Sequence, residues 1–241
     1  ACLVGSEMCI RDRYDTCGKL ARTFSYGGGV GIDISNLRPN GAPVHNAAKT
    51  TTGACSFMDT FAQVTDTIGQ KGRRGALMLS MDINHPDIEE FIDKKTNTDK
   101  VTSANISVRV TDDFMNAVVT KQKYTCSYLL EDGSLITKEV DADKLFEKLA
   151  KNNWDYAEPG ILYWDNMNNN NLLSEYIKTG DFAYAGVNPC AEEPLPAGGA
   201  CNLGAINLSK FVLNPYIETA KPIVVVTAPG PVSYTHLRAH E

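Results

Sequence analysis

The stretch ALMLSMDINHPDIEEFI, residues 76–92, decides the fold class of this 241-residue chain. Its first part, Ala76 to Ile83, is a short apolar run that predicts a buried strand. Pro86 suits a first helical position, and the isoleucines and phenylalanine that follow it share one face of a short amphipathic helix. A buried strand that leads directly into a helix is typical of α/β proteins with parallel strands.

Strand and helix signals alternate on both sides of this stretch. Upstream, a glycine cluster at Gly27–Gly31 leads into a strand that alternates through Ile32 and Ile34. Ser56 is a predicted N-cap for a helix with its apolar residues on one face. Downstream, we expect a strand at 104–110, a helix capped by Thr111, a hairpin at 123–139 that turns at Asp132-Gly133, a helix at 143–154 and a strand at 161–163.

The composition is that of an ordinary soluble globular protein, with 43% hydrophobic and 22% charged residues. The net charge of −6 gives no basic surface for nucleic acid or for an anionic membrane. No apolar run approaches the roughly 18 residues that a membrane span needs. We therefore expect neither nucleic-acid nor membrane partners.

The seven cysteines are irregularly spaced. None forms a Cys-x-x-Cys pair and no paired histidines accompany them, so no metal site is predicted. An odd number at irregular spacing also argues against the disulfide framework of a secreted protein. We expect reduced thiols and a cytoplasmic location.

Both ends of the chain resemble translated sequencing-adapter sequence. Residues 4–13 read VGSEMCIRDR, and residues 232–241 read VSYTHLRAHE. Segments of this kind are excluded from reasoning about the fold, so Cys2 and Cys9 are set aside. The expected organisation is a non-native segment at 1–13, a partial domain at 14–230 and a non-native segment at 231–241. The chain is therefore expected to be an internal fragment.

Residues 188–196, NPCAEEPLP, hold the densest group of reactive side chains. Proline on both sides of the cysteine excludes a helix, so an exposed, fixed loop is expected. In an extended segment, Asn188, Cys190 and Glu192 would point to the same side and meet one ligand. A surface loop with a half-buried thiol and solvated carboxylates explains the spacing at least as well. Nucleophilic catalysis by a Cys-His pair would need a base that the sequence does not place nearby.

Five segments, in order, carry a resemblance to a known family. They are YGGGVGIDISNLRPNGAPVHNAAKT, SFMDTF…IGQKGRRGALMLSMDINHPDIEEFI, ANISVRVTDDFMNAV, EPGILYWDNMN and NPCAEEPLPAGGACNLGAINLS. Together they resemble the catalytic subunit of ribonucleotide reductase. The form NPCAEEPLPAGG is most similar to the adenosylcobalamin-dependent, class II enzymes. The resemblance extends from about Tyr14 to about Ala220.

The resemblance implies part of a ten-stranded α/β barrel, namely its first parallel half and a finger loop that carries a radical cysteine. It implies an oxidoreductase, a ribonucleoside-diphosphate reductase, that makes deoxyribonucleotides for DNA replication. Cys190 matches the radical residue, which as a thiyl radical removes the 3′ hydrogen of a ribonucleotide. Glu192 matches the base for the 3′ hydroxyl, and Asn188 matches a group that orients the ribose. Pro189 and Ala191 complete the substrate-binding loop.

Three further residues match family positions outside that loop. Cys201 matches one of two cysteines that reduce the 2′ position by forming a disulfide. The family's partner cysteine lies upstream of the glycine cluster, in a stretch that we expect to be missing. Gly29 matches a glycine whose backbone approaches the substrate. Arg38 matches a contact to the phosphate of an allosteric effector, and a solvated loop arginine is the alternative interpretation.

The family also implies partners and cofactors. These are adenosylcobalamin, a ribonucleoside di- or triphosphate substrate, an effector dNTP with Mg²⁺, a thioredoxin-like or dithiol reductant, and a second copy of the subunit. As a fragment, the chain is expected to be inactive alone.

Two alternatives stay open. One is a class I or glycyl-radical relative with the same barrel. The other is a non-catalytic nucleotide-binding regulatory module built on residues 27–53. The regulatory module predicts Cys190 on the outer surface of the fold, whereas the enzyme predicts it on a loop that projects into a half-barrel.

Overall fold

The computed structural model describes residues 2–4, 10–44, 47–69, 75–97, 99–202 and 204–211. The chain divides into two compact units, Ala1–Ala200 and Cys201–Glu241, and each is described by itself. The strands of the first unit are β1 (Cys2–Val4), β2 (Gly29–Asp33), β3 (Ala76–Asp82), β4 (Ala104–Val110), β5 (Lys123–Leu129), β6 (Leu135–Asp141), β7 (Gly160–Tyr163), β8 (Gly186–Val187) and β9 (Pro194–Leu195). Its helices are α1 (Ile10–Ser25), α2 (Ser56–Ile68), α3 (Ile88–Asp93), α4 (Asp112–Val119), α5 (Ala142–Tyr156), α6 (Trp164–Asn169) and α7 (Ser174–Thr179). The described part of the second unit contains a short 3₁₀ helix, Leu208–Phe211.

The largest sheet contains five strands in the order β1-β2-β3-β4-β7, and every neighbouring pair is parallel. Helices alternate with these strands along the chain: α1 precedes β2, α2 precedes β3 and α3 precedes β4. Between β4 and β7 the chain inserts α4, the antiparallel hairpin β5–β6 and α5. The predicted α/β fold with a parallel sheet is confirmed. Within the described ranges, no helix is both long and apolar enough to cross a membrane.

The two faces of this sheet have different partners. Side chains alternate along a strand, so Ile32, Leu79 and Val108 point to one face, where they belong to the main apolar core with residues of α1, α2 and α5. The opposite face carries the intervening residues of β2, β3 and β4, among them Gly31 and Asn105. We call it the hairpin face, because the small antiparallel hairpin β8–β9 packs on it.

Two helix N-caps and one hairpin turn were predicted from the sequence, and each can be compared with the structure. Thr111 caps α4 as predicted, because its hydroxyl oxygen accepts a backbone N–H of the first turn at 3.2 Å. The N-cap prediction for Ser56 is wrong by one position. Cys55 is the cap residue, and the hydroxyl of Ser56 donates to the Gly53 carbonyl instead. The predicted turn between β5 and β6 is confirmed by the positive φ of Gly133, 83°.

The segment predicted to be adapter-like contributes to the described fold. Cys2–Val4 form β1 at one edge of the sheet, and the segment's last residues, from Ile10 to Arg13, begin α1. The Arg13 guanidinium lies over the ring of Phe57, 4.2 Å from its centroid. The non-native origin of residues 1–13 stays a prediction. Residues 231–241 lie outside the described residues.

Candidate active site

The segment predicted to carry the chemistry forms the tip of the β8–β9 hairpin. Ala185 donates its N–H to Leu195 at 2.8 Å, and Asn188 donates its N–H to the Glu193 carbonyl at 3.1 Å. Residues between these bonds reverse the chain direction, with Ala191 in the left-handed region at φ 69°. The expected exposed, non-helical loop is therefore present, but it is a tight turn and not an extended segment.

Asn188 shapes this turn with its own side chain. It is buried, and its Oδ1 atom accepts the N–H of Glu193 at 3.0 Å. Its backbone carbonyl accepts the N–H of Ala191 at 3.0 Å. Because Oδ1 is engaged, Nδ2 is the atom of Asn188 that is suited to donate to a ligand. Cys190 and Glu192, by contrast, are exposed at the tip, so the three side chains do not alternate as they would along an extended strand.

Two glycines of β2 let the hairpin approach the sheet. A β-carbon on Gly31 would lie 1.7 Å from the carbonyl oxygen of Val187, and one on Gly29 would lie 2.6 Å from Cγ of Pro189. Neither distance is compatible with a side chain, so only glycine allows this packing. The glycine cluster therefore serves the close approach of the chain's own backbone, in addition to the turn that follows α1.

The hairpin is also held by apolar and polar contacts from other strands. Val187 is buried in a small cluster with Met78, Leu162 and Trp164. On β4, the amide of Asn105 donates from Nδ2 to the carbonyl of Pro189 at 3.0 Å. The tip that bears Cys190 thus lies on the hairpin face of the parallel sheet. Sequence reasoning missed Asn105, although the alternation of β4 could have placed it on this face.

The cysteines of the first unit differ sharply in their surroundings. Cys190 is exposed, whereas Cys17, Cys55 and Cys126 are buried free thiols. Burial raises the pKa of Cys126 to about 11, and it raises the pKa of Cys55 further. The Cys126 thiol donates to the carbonyl of Ile83 at 3.4 Å. Buried thiols with raised pKa values are poor nucleophiles, in agreement with the predicted structural roles of Cys55 and Cys126.

Two other cysteines bear on the expected disulfide chemistry. Cys201 belongs to the second unit, where it is an exposed free cysteine. Cys2, which was set aside with the adapter-like segment, lies in β1 and pairs in register with Gly31 of β2. The backbone at Cys2 is therefore part of the described sheet.

Arg38 is not the solvated loop arginine of the alternative interpretation. Its side chain is 14% exposed, and its Nη2 atom lies 3.1 Å from the Glu131 carboxylate in the turn between β5 and β6. The phenolic O–H of Tyr128 on β5 donates to the carbonyl of Asn36 at 2.7 Å, which also ties the loop to the hairpin β5–β6. The guanidinium has five N–H donors, so Arg38 can pair with Glu131 and still donate hydrogen bonds to a phosphate.

The long loop after β2 is closed by a buried clamp. The Asp87 carboxylate accepts the backbone N–H of Asn40 at 3.0 Å and that of Ala54 at 3.1 Å. The Nδ1 atom of His85 accepts the N–H of Asp87 at 3.0 Å, so Nε2 donates to the Leu37 carbonyl at 2.8 Å. Burial lowers the pKa of His85, which favours the neutral ring. His85 therefore stabilises the turn before α3, and α3 begins after this clamp instead of at the predicted proline.

A buried ion pair on the hairpin face was not anticipated from the sequence. Arg109 of β4 lies 2.9 Å from Asp33 of β2, and Ser80 of β3 donates to the same carboxylate at 2.7 Å. The guanidinium also lies over the ring of Trp164, 3.7 Å from its centroid. These charges have partners within the fold, so we assign them to holding the strands together.

Comparisons with known proteins agree with this architecture. The family described as "Ribonucleotide reductase, barrel domain" matches residues 1–228. The chain is 38% identical over 207 residues to the vitamin B12-dependent ribonucleoside-diphosphate reductase of Thermoplasma acidophilum, which covers 85% of this chain and 26% of that protein. It is 30% identical over 216 residues to the enzyme of the same name from Mycobacterium tuberculosis, covering 88% of this chain and 30% of that protein.

A third relative is the vitamin B12-dependent ribonucleotide reductase of Streptomyces avermitilis, 34% identical over 214 residues, with 78% of this chain and 21% of that protein covered. The chain spans between a fifth and a third of the length of these relatives. The family match extends over nearly all of the chain and includes the parallel sheet and the Cys190 hairpin. The chain therefore belongs to the ribonucleotide reductase family, as part of its barrel domain.

Proposed function

We propose that this chain is a piece of an enzyme that reduces ribonucleotides to deoxyribonucleotides, with Cys190 as the radical residue. The observation that carries the proposal is the position of Cys190. It is an exposed thiol at the tip of a hydrogen-bonded hairpin that lies on one face of a parallel sheet. A radical residue needs an accessible thiol on a fixed backbone, because its sulfur has to reach one particular hydrogen atom of the substrate.

The proposed first step uses the three side chains of the tip. As a thiyl radical, Cys190 takes the hydrogen atom from C3′ of the ribose: an S–H bond forms, the C3′–H bond breaks, and the unpaired electron passes to the sugar. Glu192, exposed beside it, takes the proton of the 3′ hydroxyl as general base. Asn188 orients the ribose by donating from Nδ2. Gly29, Pro189 and Ala191 supply backbone that approaches the substrate closely.

Reduction of the 2′ position requires two thiols. Two thiols lose two hydrogen atoms and form a disulfide, while the 2′ hydroxyl leaves as water and a C–H bond replaces it. Cys201 is one proposed thiol. The family implies that its partner lies upstream of the glycine cluster.

Adenosylcobalamin is the proposed source of the radical, since the relatives are named as vitamin B12-dependent. When bound, it supplies an organic radical that can oxidise a thiol by removing its hydrogen atom. Among the described residues, Cys190 would contribute the accessible thiol from which that radical removes hydrogen.

The remaining partners follow from membership of the family. The substrate is a ribonucleoside di- or triphosphate, and the reductant is a thioredoxin-like protein or a dithiol. Arg38 is proposed to meet the phosphate of an effector dNTP bound with Mg²⁺, because its guanidinium is preorganised by Glu131. We propose a homodimeric, cytoplasmic enzyme.

The proposed full architecture is a ten-stranded barrel of two parallel halves. The five-stranded parallel sheet would be the first half, and the β8–β9 hairpin would be the finger loop inside it. The hairpin lies on the face opposite the α1–α2 layer, which favours this enzyme over the regulatory module that predicts Cys190 outside. The names of the relatives favour class II over the class I and glycyl-radical alternatives.

The proposal is tested with the longer protein that contains this segment. Expressed with adenosylcobalamin and a dithiol, it should convert a ribonucleotide to a deoxyribonucleotide, and Cys190→Ser should abolish product formation. Product formation by Cys190→Ser would overturn the assignment of the radical. The 241-residue chain alone should form no product under the same conditions.

A further inference from the structure

We propose that Asn105 is a positioning residue that fixes Cys190 through the carbonyl of Pro189. The inference rests on the proposed function, because it explains how the radical thiol is held. Asn105 lies on β4, 84 residues before Pro189, and its Nδ2 atom donates to the Pro189 carbonyl oxygen at 3.0 Å. That carbonyl belongs to the peptide group that leads directly into Cys190, so a bond to it restrains the backbone at the thiol.

Pro189 is restrained from two directions. Its ring packs against Gly29, where a β-carbon would lie 2.6 Å from Cγ, and its carbonyl is held by Asn105. The proline ring also fixes its own φ angle. The peptide before Cys190 therefore has little freedom to rotate or to move along the sheet, and χ1 of the cysteine is the main freedom left to the sulfur.

Asn105 is itself well placed to act as an anchor. Its Cα pairs in register with Met78 in the middle of the sheet. The preceding carbonyl, that of Ala104, accepts a bond from Nζ of Lys95 at 2.7 Å, and Lys95 forms an ion pair with Glu158. The start of β4 is therefore fixed by side chains as well as by strand pairing.

The hydrogen bonds within the tip give it shape but do not place it on the sheet. Ala191 and Glu193 both donate to Asn188, and all three residues belong to the turn itself. The bond from Asn105 joins the turn to β4. Without it the turn can move relative to the sheet, and its internal bonds open more often because the peptide before Cys190 is no longer held by β4.

Such a shift would affect the chemical step more than substrate affinity. A displacement of about 1 Å in a reacting group typically lowers the rate about 100-fold. Binding of the nucleotide depends on many other contacts. We expect loss of the Asn105 bond to lower kcat strongly while KM changes little.

The first test uses the 241-residue chain and needs no cofactor. Asn105→Asp and Asn105→Leu keep the size of the side chain but remove the donor. Hydrogen exchange of the Ala191 and Glu193 amides should accelerate about 10-fold, which is the scale expected for one ordinary hydrogen bond. The same two substitutions at Asn116, exposed on α4, are the matched control and should leave both amides unchanged. Unchanged exchange in the Asn105 variants would overturn the anchor.

The second test uses the longer protein that contains this segment. Asn105→Asp should lower kcat about 100-fold with KM within about twofold, and Asn105→Gln, which keeps the donor, should restore part of the rate. An unchanged kcat in Asn105→Asp, in a protein that Cys190→Ser inactivates, would refute positioning and leave the proposed function intact. Activity in Cys190→Ser would refute the proposed function, and the exchange experiment would still decide whether Asn105 holds the tip.

Discussion

Gly31 and Val187 meet backbone to backbone: a β-carbon on Gly31 would lie 1.7 Å from the carbonyl oxygen of Val187. At β2 the hairpin therefore rests directly on the main chain, whereas Met78, Leu162 and Trp164 contact it through their side chains. This contact brings the segment that bears Cys190 onto the sheet, although it lies far from β2 in the sequence.

Gly31→Ala should displace the hairpin. The added methyl group cannot be accommodated without moving one of the two backbones, and overpacking of this kind costs about 1–3 kcal/mol of unfolding free energy. Urea unfolding measures the loss. The matched control is Gly18→Ala in α1, where a β-carbon meets no atom within 4 Å. That substitution should stabilise the chain by about 0.5–1 kcal/mol, because alanine is the better helix former. Equal stability of the two variants would contradict the contact.

Asp87→Asn should loosen the loop that carries Arg38. The carboxylate accepts the backbone N–H groups of Asn40, two residues after Arg38, and of Ala54, shortly before α2, and an amide in its place presents a donor where a second acceptor is needed. We expect a loss of about 1–3 kcal/mol of unfolding free energy. Asp99→Asn, at an exposed position, should change it by less than about 0.5 kcal/mol. The stabilising role of the Asp87 carboxylate is wrong if the two variants unfold at the same urea concentration.

The buried thiol of Cys126 should make stability depend on alkaline pH. Its pKa is raised by burial from an ordinary value near 9.0 to about 11, so the folded state favours the neutral thiol. The stability contributed by this group is complete below the unfolded pKa and is lost as pH rises through the folded pKa. Between about pH 9 and about pH 11, Cys126→Ala should therefore lose stability less steeply than the unchanged chain. Urea midpoints measured under reducing conditions test this, and parallel pH profiles would contradict it.

Glu192 and its neighbour Glu193 provide a matched pair for the proposed base. Both carboxylates are exposed, but only Glu192 is proposed to take the proton of the 3′ hydroxyl. In the longer protein, Glu192→Gln should lower kcat about 100- to 10,000-fold, the range typical of a lost general base. Glu193→Gln should leave kcat near its original value. If kcat fell equally in both variants, the negative charge of the tip would be the important property, and Glu192 would not be a specific base.

The parallel sheet could be predicted from the sequence because its signals are local. The apolar run at Ala76–Asp82 and the alternation at Ala104–Val110 each mark a strand, and the Thr111 cap marks the helix that follows. The location of an exposed thiol at Cys190 could also be predicted, since prolines on both sides exclude a helix. These inferences need only neighbouring residues.

What could not be predicted depends on contacts between distant segments. The packing of Gly31 against Val187 joins residues more than a hundred positions apart, and no local pattern indicates it. The inward fold of the Asn188 side chain depends on the left-handed turn at Ala191, which is an unusual conformation for alanine. The residues of the tip could therefore be predicted from the sequence, but their arrangement could not. An extended segment was expected, and the structure has a tight turn.

The amide of Asn188 is divided between two tasks. Its oxygen closes the turn, and its nitrogen is the part suited to a bound sugar. The planar amide of asparagine carries both an acceptor and a donor. A substitution at position 188 can therefore separate the two tasks: Asn188→Asp keeps an acceptor for the N–H of Glu193 but removes the donor that the sugar would meet.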